Sequence, residues 1–149
     1  MLLFRPLLMF LVLSPAIEAS DPFIGTWKLD IEKSDLGGSA NVQSGTTTYA
    51  AAENRYVYDA EITFGNSKVA RLHGPVQFDG TVNEARLDGR PVNFVCERSD
   101  TNNYSVKIRD VQTGITTNIF HYTVQGDTLI FKWLTGKEEP ELILVYKRE

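Results

Sequence analysis

Catalysis and metal binding need histidine, cysteine or carboxylate side chains that can share a site, and this sequence offers few of them. It has two histidines, His73 and His121, and one cysteine, Cys96. His121 stands between Phe120 and Tyr122 in a run of alternating polarity, which aims it outward, and His73 lies two residues before Pro75. Two histidines on separate strands, with no clustered carboxylate, make a poor metal centre, so no metal ligand is assigned. A single cysteine excludes an internal disulfide and a multi-cysteine zinc site. Beside Phe94 on an inward face, Cys96 reads as a small hydrophobe, because a nucleophile needs a neighbouring base and access. Glu138, Glu139 and Glu141 surround Pro140 and read as a solvated hairpin end rather than a cation site. No Gly-x-Ser-x-Gly elbow, phosphate loop or dinucleotide fingerprint is present. No catalytic residue and no cofactor is assigned, and the chain reads as non-enzymatic.

Binding chemistry has better candidates. Arg98 shares parity with Val92, Phe94 and Cys96, so alternation carried to the strand end points its guanidinium into the mouth of a barrel. A carboxylate ligand would suit it there, since an unpaired buried charge is costly. The other outcomes are solvation beyond the barrel end and pairing with a carboxylate of the chain itself. Tyr56, Tyr58, Tyr104 and Tyr122 join Phe94 and Trp133 as aromatic lining with a few polar handles, which suits a small, mostly apolar guest. The expected ligand-binding set is Tyr56, Tyr58, Phe94, Arg98, Tyr122 and Trp133.

The elements that position these residues read as strands. Apolar and polar residues alternate between turn signals at Gly65-Asn66, Asp79-Gly80, Asp88-Gly89, Asn102-Asn103, Thr113-Gly114, Gly126-Asp127 and Gly136-Lys137, spaced by roughly 10 to 14 residues as in an antiparallel meander. Nine strands are expected: Phe23 to Asp30, Ser44 to Ala51, Arg55 to Phe64, Lys68 to Phe78, Pro91 to Ser99, Tyr104 to Val111, Thr116 to Gln125, Thr128 to Thr135 and Glu141 to Lys147. Parity turns Trp27 and Leu29 inward, then Tyr56, Tyr58, Ala60, Ile62 and Phe64, and likewise Tyr104, Val106, Ile108, Phe120, Tyr122 and Val124. The strand Thr128 to Thr135 is apolar on both faces, with Leu129, Phe131 and Trp133 on one and Ile130 and Leu134 on the other. Pro75 argues for a bulge or an edge in the fourth strand. Ile31 to Gln43 reads as a long irregular connection. Sequential hairpins without long crossovers favour closure into an up-and-down β-barrel of about 8–10 strands over a sandwich.

Length and composition agree with one such domain. The chain has 149 residues, is 42% hydrophobic and 23% charged, and carries a net charge of −4. That balance excludes disorder and fibrous classes, and its mild acidity argues against nucleic-acid binding. Residues 1–19 differ from the rest. Arg5 precedes the apolar run Leu7 to Leu13, and Pro15 precedes the small residues Ala16 and Ala19, which is the pattern of a secretory signal peptide cut after Ala19. The run is too short to span a bilayer, which takes roughly 20 residues, so no permanent membrane span is expected. The mature domain, 20–149, is expected in the periplasm or outside the cell.

The opening Asp21-Pro22-Phe23-Ile24-Gly25-Thr26-Trp27-Lys28-Leu29-Asp30, followed by Glu32-Lys33-Ser34, resembles a group of small exported bacterial proteins with lipocalin-like (calycin-type) barrels. Phe78-Asp79-Gly80, Arg98-Ser99-Asp100 and Val145-Tyr146-Lys147 are similar to that group too. In lipocalins Gly-x-Trp marks the first strand, where the tryptophan plugs one barrel end under a basic side chain from the last strand. The resemblance assigns these places to Gly25 and Trp27, with Lys147 or Arg148 as the cation, and brings no activity with it. A Thr-Asp-Tyr-like turn, the second lipocalin signature, is absent.

Two functions follow from such a barrel. One is an exported binding protein for a small apolar or amphipathic ligand in the lumen. The other is a barrel filled by its own side chains that works as a protein-interaction or cell-envelope module. A cavity of roughly 300 Å3 or more favours the first.

Overall fold

Alternating polarity gives each strand one face that must leave water, and closing the sheet on itself buries all those faces together. A computed structural model describes residues 21–37, 41–134 and 139–149; the expected signal peptide, 1–19, lies outside them. Ten antiparallel strands follow in order: β1 (Gly25–Leu29), β2 (Val42–Ala52), β3 (Arg55–Phe64), β4 (Val69–Val76), β5 (Asp79–Leu87), β6 (Arg90–Asp100), β7 (Asn103–Arg109), β8 (Thr116–Gln125), β9 (Thr128–Leu134) and β10 (Leu142–Arg148). Each pairs with the next in sequence, and β1 also pairs with β10 to close the barrel, with Trp27 opposite Arg148 and Leu29 opposite Tyr146. A short 3-10 turn, Ile31–Lys33, is the one helical element among the described residues. No helix there is long and apolar enough to cross a membrane.

The expected all-β barrel is present, with one strand more than the nine expected. The addition is β5, between the Asp79-Gly80 and Asp88-Gly89 turn signals. Its apolar residues do not hold one parity, since Val82 is 53% exposed while Ala85 is buried. From Val82 to Leu87 the ladder is regular, so alternation turns Asn83, Ala85 and Leu87 inward and leaves Val82 outside; a core face of Asn, Ala and Leu gives the sequence little apolar pattern to read. The start of β2 moves to Val42, with a shift between Val42 and Ser44.

The β4–β5 ladder is the thinnest, with two paired positions, Leu72 with Leu87 and His73 with Arg86. It stops two residues short of Pro75, whose nitrogen has no proton to donate. Gly74 lets the strands approach there: a Cβ on it would lie 2.4 Å from the Ala85 Cβ. The core is continuous and rich in rings, with Phe23, Trp27, Tyr49, Phe94, Tyr104 and Ile108 all removed from water. Each such side chain contributes roughly 1.5–3 kcal/mol of burial.

Candidate ligand-binding site

The two ends of the barrel differ chemically. At one end the segment before β1 folds across the opening. The Trp27 indole donates from Nε1 to the Phe23 carbonyl at 2.9 Å, and the Arg148 guanidinium lies over the indole at 4.1 Å from its centroid. Arg148 also donates to the carbonyls of Ile24 (2.7 Å) and Pro22 (2.9 Å), so it ties the N-terminal segment to the last strand. This approach needs Gly25, whose φ of +130° disfavours other residues and whose added Cβ would sit 3.0 Å from an Arg148 nitrogen. Arg148 therefore takes the capping place expected of Lys147 or Arg148. Lys147, on the opposite parity, pairs with Asp30 at 2.9 Å.

Arg98 belongs to the same closed end. Its parity is inward as expected, and the carboxylate it meets is that of Asp21, at 2.7 Å, with the two side chains 23% and 12% exposed. Its plane lies over Phe78 at 4.4 Å, and it donates to the carbonyls of Asp100 and Thr101. Tyr56 donates at 3.0 Å to the same Asp21 oxygen, Oδ2, that Arg98 meets, and the Phe23 N–H donates to the other, Oδ1, at 3.0 Å. Burial pushes the Asp21 carboxyl up, but the Arg98 guanidinium, the Phe23 N–H and the Tyr56 hydroxyl outweigh it and hold the group below its ordinary value.

Inward of this latch is a layer of rings. Phe23 and Phe78 each pack edge-on against Tyr104 at 4.9 Å, and Tyr104 stacks on Tyr122 at 4.7 Å. The Tyr49 and Tyr104 hydroxyls bond each other, as do those of Tyr58 and Tyr122 at 2.8 Å. Thr47, buried on β2, lines the lumen together with Tyr58 and Tyr146. Burial pushes the phenols of Tyr49, Tyr58, Tyr104 and Tyr122 well up, and that of Tyr146 up to about 12, so all are neutral in ordinary buffers.

Beyond the tyrosines the lumen opens into a cavity of about 290 Å3. Its floor is Thr47, Tyr58, Tyr122 and Tyr146; Phe120, Phe131 and Trp133 form much of one wall. It extends to strand-end residues Phe64, Leu87 and Leu142, and so towards the end of the barrel opposite the Arg98 latch. Neighbouring strands supply this lining in register, with Phe120 opposite Trp133 and Phe131 opposite both Tyr122 and Leu144.

Of the expected ligand-binding residues, Tyr58, Tyr122 and Trp133 come together around this cavity. Tyr56 and Arg98 sit in the closed-end latch, and Phe94 is buried in the core opposite Ile108. Sequence reading did not single out Thr47 and Tyr146. A signal for Thr47 existed, since its rung partners are Trp27 and Ala60, both on inward faces. Tyr146 likewise stands opposite the inward Leu29 and Leu129.

The remaining reactive side chains lie apart. Cys96 is buried, and burial pushes its thiol up to about 12. His73 is 3.7 Å from Asp59 on the outer surface, and His121 is half-buried opposite Lys132 on the outer face, where burial and that cation push its pKa down. Among the described residues no three His, Cys, Asp or Glu side chains gather as a metal site would require. Glu139 and Glu141 are exposed, and Glu138 lies outside the described residues.

This geometry has counterparts in solved structures. The fold is that of the fatty acid binding proteins. A Schistosoma mansoni fatty acid binding protein in complex with arachidonic acid matches with a TM-score of 0.63 at 22% identity, over 86% of this chain and 96% of that one. As-p18, an extracellular fatty acid binding protein, matches with a TM-score of 0.64 at 17% identity, over 87% and 97%. No protein-family model matches the sequence, and no curated protein matches it. The calycin-type barrel expected from the Gly25-x-Trp27 resemblance is thus found in its architecture.

Proposed function

We propose that this protein is an exported, non-enzymatic binding protein that holds a small apolar or amphipathic molecule inside its barrel. The observation that carries this reading is the cavity of about 290 Å3, walled by Phe120, Phe131 and Trp133 and floored by hydroxyls. That volume stands at the lower edge of small-molecule pockets, about 300–1,000 Å3, and such sites combine an apolar lining with a few placed polar groups. Its architecture is shared with proteins whose names state fatty acid binding, one of them extracellular, which supports a lipid-like guest. Tyr58, Tyr122 and Trp133 are the proposed contacts. Tyr56, Phe94 and Arg98 serve the site from the closed end and the core. Residues 1–19 act as a signal peptide, with cleavage after Ala19, and deliver the barrel to the periplasm or the exterior.

The two tryptophans make the test internal. Trp133 lines the cavity, whereas Trp27 is sealed beneath Arg148 at the other end. A panel of long-chain alcohols, acids and esters should change the emission saturably in the wild type and in Trp27→Phe, and not in Trp133→Phe. Native mass spectrometry of the purified protein should show a copurifying adduct of lipid mass. Absence of both an adduct and a saturable response would sink the reading, and would favour the filled barrel that acts through its surface.

A further inference from the structure

The cavity floor points to a ligand class narrower than an amphipath. Resting on the lumen-binding reading, we propose that the guest carries an uncharged head that both gives and accepts hydrogen bonds, as an alcohol or primary amide does. That head sits among the hydroxyls of Thr47, Tyr58, Tyr122 and Tyr146, and a carboxylate anion is a poor guest.

Among the described residues one charged side chain borders the cavity, Arg71, and its parity is opposite to that of the buried Leu72. Its guanidinium is on the outer surface, paired with Glu61 at 2.9 Å. Two largely buried arginines are engaged at the closed end, Arg98 by Asp21 and two carbonyls, Arg148 by Asp127 and two carbonyls. Between Arg98 and the cavity stand Phe23 and Phe78, then Tyr104, then Tyr122. Among the described residues a carboxylate entering the lumen would meet no counter-charge in exchange for its hydration, which is strongly unfavourable.

The hydroxyls give the same answer. An ionised carboxylate only accepts hydrogen bonds, whereas each hydroxyl brings one proton and two lone pairs. Two of the four floor hydroxyls, those of Tyr58 and Tyr122, bond each other at 2.8 Å and so use one proton between them. The four protons of the floor cannot fill its eight lone pairs, so the cluster has acceptors to spare and welcomes a donor. Deprotonation offers the floor no alternative, because burial keeps every phenol neutral. A head that donates to this cluster and accepts from it satisfies both partners without moving a charge out of water.

The test compares 1-dodecanol with dodecanoic acid as displacers of the neutral fluorophore N-phenyl-1-naphthylamine from the purified protein. At pH 8, where the acid is ionised, dodecanol should displace the probe at least tenfold more tightly, and the gap should narrow as the pH is lowered through the ionisation of the acid. Tyr122→Phe should weaken dodecanol about three- to tenfold more than it weakens the probe, since the probe presents no hydroxyl to the floor. Tyr146→Phe provides the same test at the other side of the floor should Tyr122→Phe not fold. Equal or tighter binding of the acid at pH 8 overturns the uncharged head while the lumen site stands. Unchanged dodecanol affinity in both variants removes the head from this floor. If neither probe nor displacer binds, the lumen-binding reading falls as well.

Discussion

Replacing Asp21 by Ala should loosen the closed end of the barrel, and the structure gives the size of the effect. The carboxylate holds three groups: Arg98 at 2.7 Å, Tyr56 at 3.0 Å and the Phe23 N–H at 3.0 Å. Removing it strands a guanidinium whose side chain is only 23% exposed, above the rings of Phe78 and Phe23. Exposed ion pairs contribute about 0–1 kcal/mol, and breaking a fully buried pair costs about 3–5 kcal/mol. A pair buried to this degree lies between, at about 2 kcal/mol. For a domain of this size that is a drop in Tm of roughly 4–8 °C, readable by circular dichroism at pH 7.

The pH dependence separates charge from shape. The folded carboxyl titrates below its unfolded value of about 3.9, since burial, which raises it, is outweighed by Arg98, Phe23 and Tyr56. Its contribution is therefore complete above that unfolded value and is lost as the pH falls through the lower folded value. Asp21→Asn keeps the shape and one acceptor oxygen but has no proton to gain, so its Tm should fall less steeply than that of the wild type below about pH 4. An Asp21→Ala variant within 1 °C of the wild type at pH 7, together with parallel acid profiles, would refute the latch.

Gly74→Val should destabilise the protein by about 1–3 kcal/mol in chemical denaturation, because its Cβ would meet the Ala85 Cβ and Cα at 2.4 and 3.0 Å; Ala85→Gly in the same chain should recover part of the loss. Cys96 should react with a thiol reagent only as fast as the barrel unfolds, since it is buried and its thiol is pushed up to about 12 by that burial; rapid native labelling would contradict its placement. Ala60→Leu projects three further carbons towards the cavity, so ligand affinity should drop at least tenfold while Tm holds or rises, whereas a filled interior would lose about 1–3 kcal/mol to overpacking.

Strand parity made most of the interior legible from sequence. Tyr58, Ala60, Phe94, Cys96, Tyr104, Val106, Ile108, Tyr122 and Val124 are all buried as alternation requires. Parity failed where the residues offer too little apolar contrast. In β5 the alternation from Val82 to Leu87 is regular, but its inward residues are Asn83, Ala85 and Leu87, with no aromatic residue to mark the core face. Around Thr47 the failure is of contrast, because the run Thr46-Thr47-Thr48 shows the same residue type on both faces. For Arg98 alternation gave direction without a partner. Asp21 arrives from the far end of the sequence, and only barrel closure makes the two neighbours. Whether aromatic residues fill a lumen or line one is a matter of volume, which alternation does not encode.

The closed end explains why these residue types are compatible with an apolar cavity at all. A charged group placed in a barrel interior must be matched, and both inward arginines are matched within one layer: Arg98 by Asp21 and carbonyls, Arg148 by carbonyls, Asp127 and the Trp27 face. Each of these contacts involves the N-terminal segment or a turn beside it, so the charges are spent on fastening the plug. Among the described residues the next layer is built of neutral hydroxyls and rings, and the layer beyond is mostly hydrocarbon with Asn118 at its border. Polarity therefore falls from the latch through the tyrosines to the cavity. A guest that enters from the opposite end meets apolar walls first and hydroxyls last, and that order orients a molecule with one polar end head inward. The same ordering predicts that changes at Arg98 act on stability and on the position of Tyr104, and reach the guest only through Tyr122.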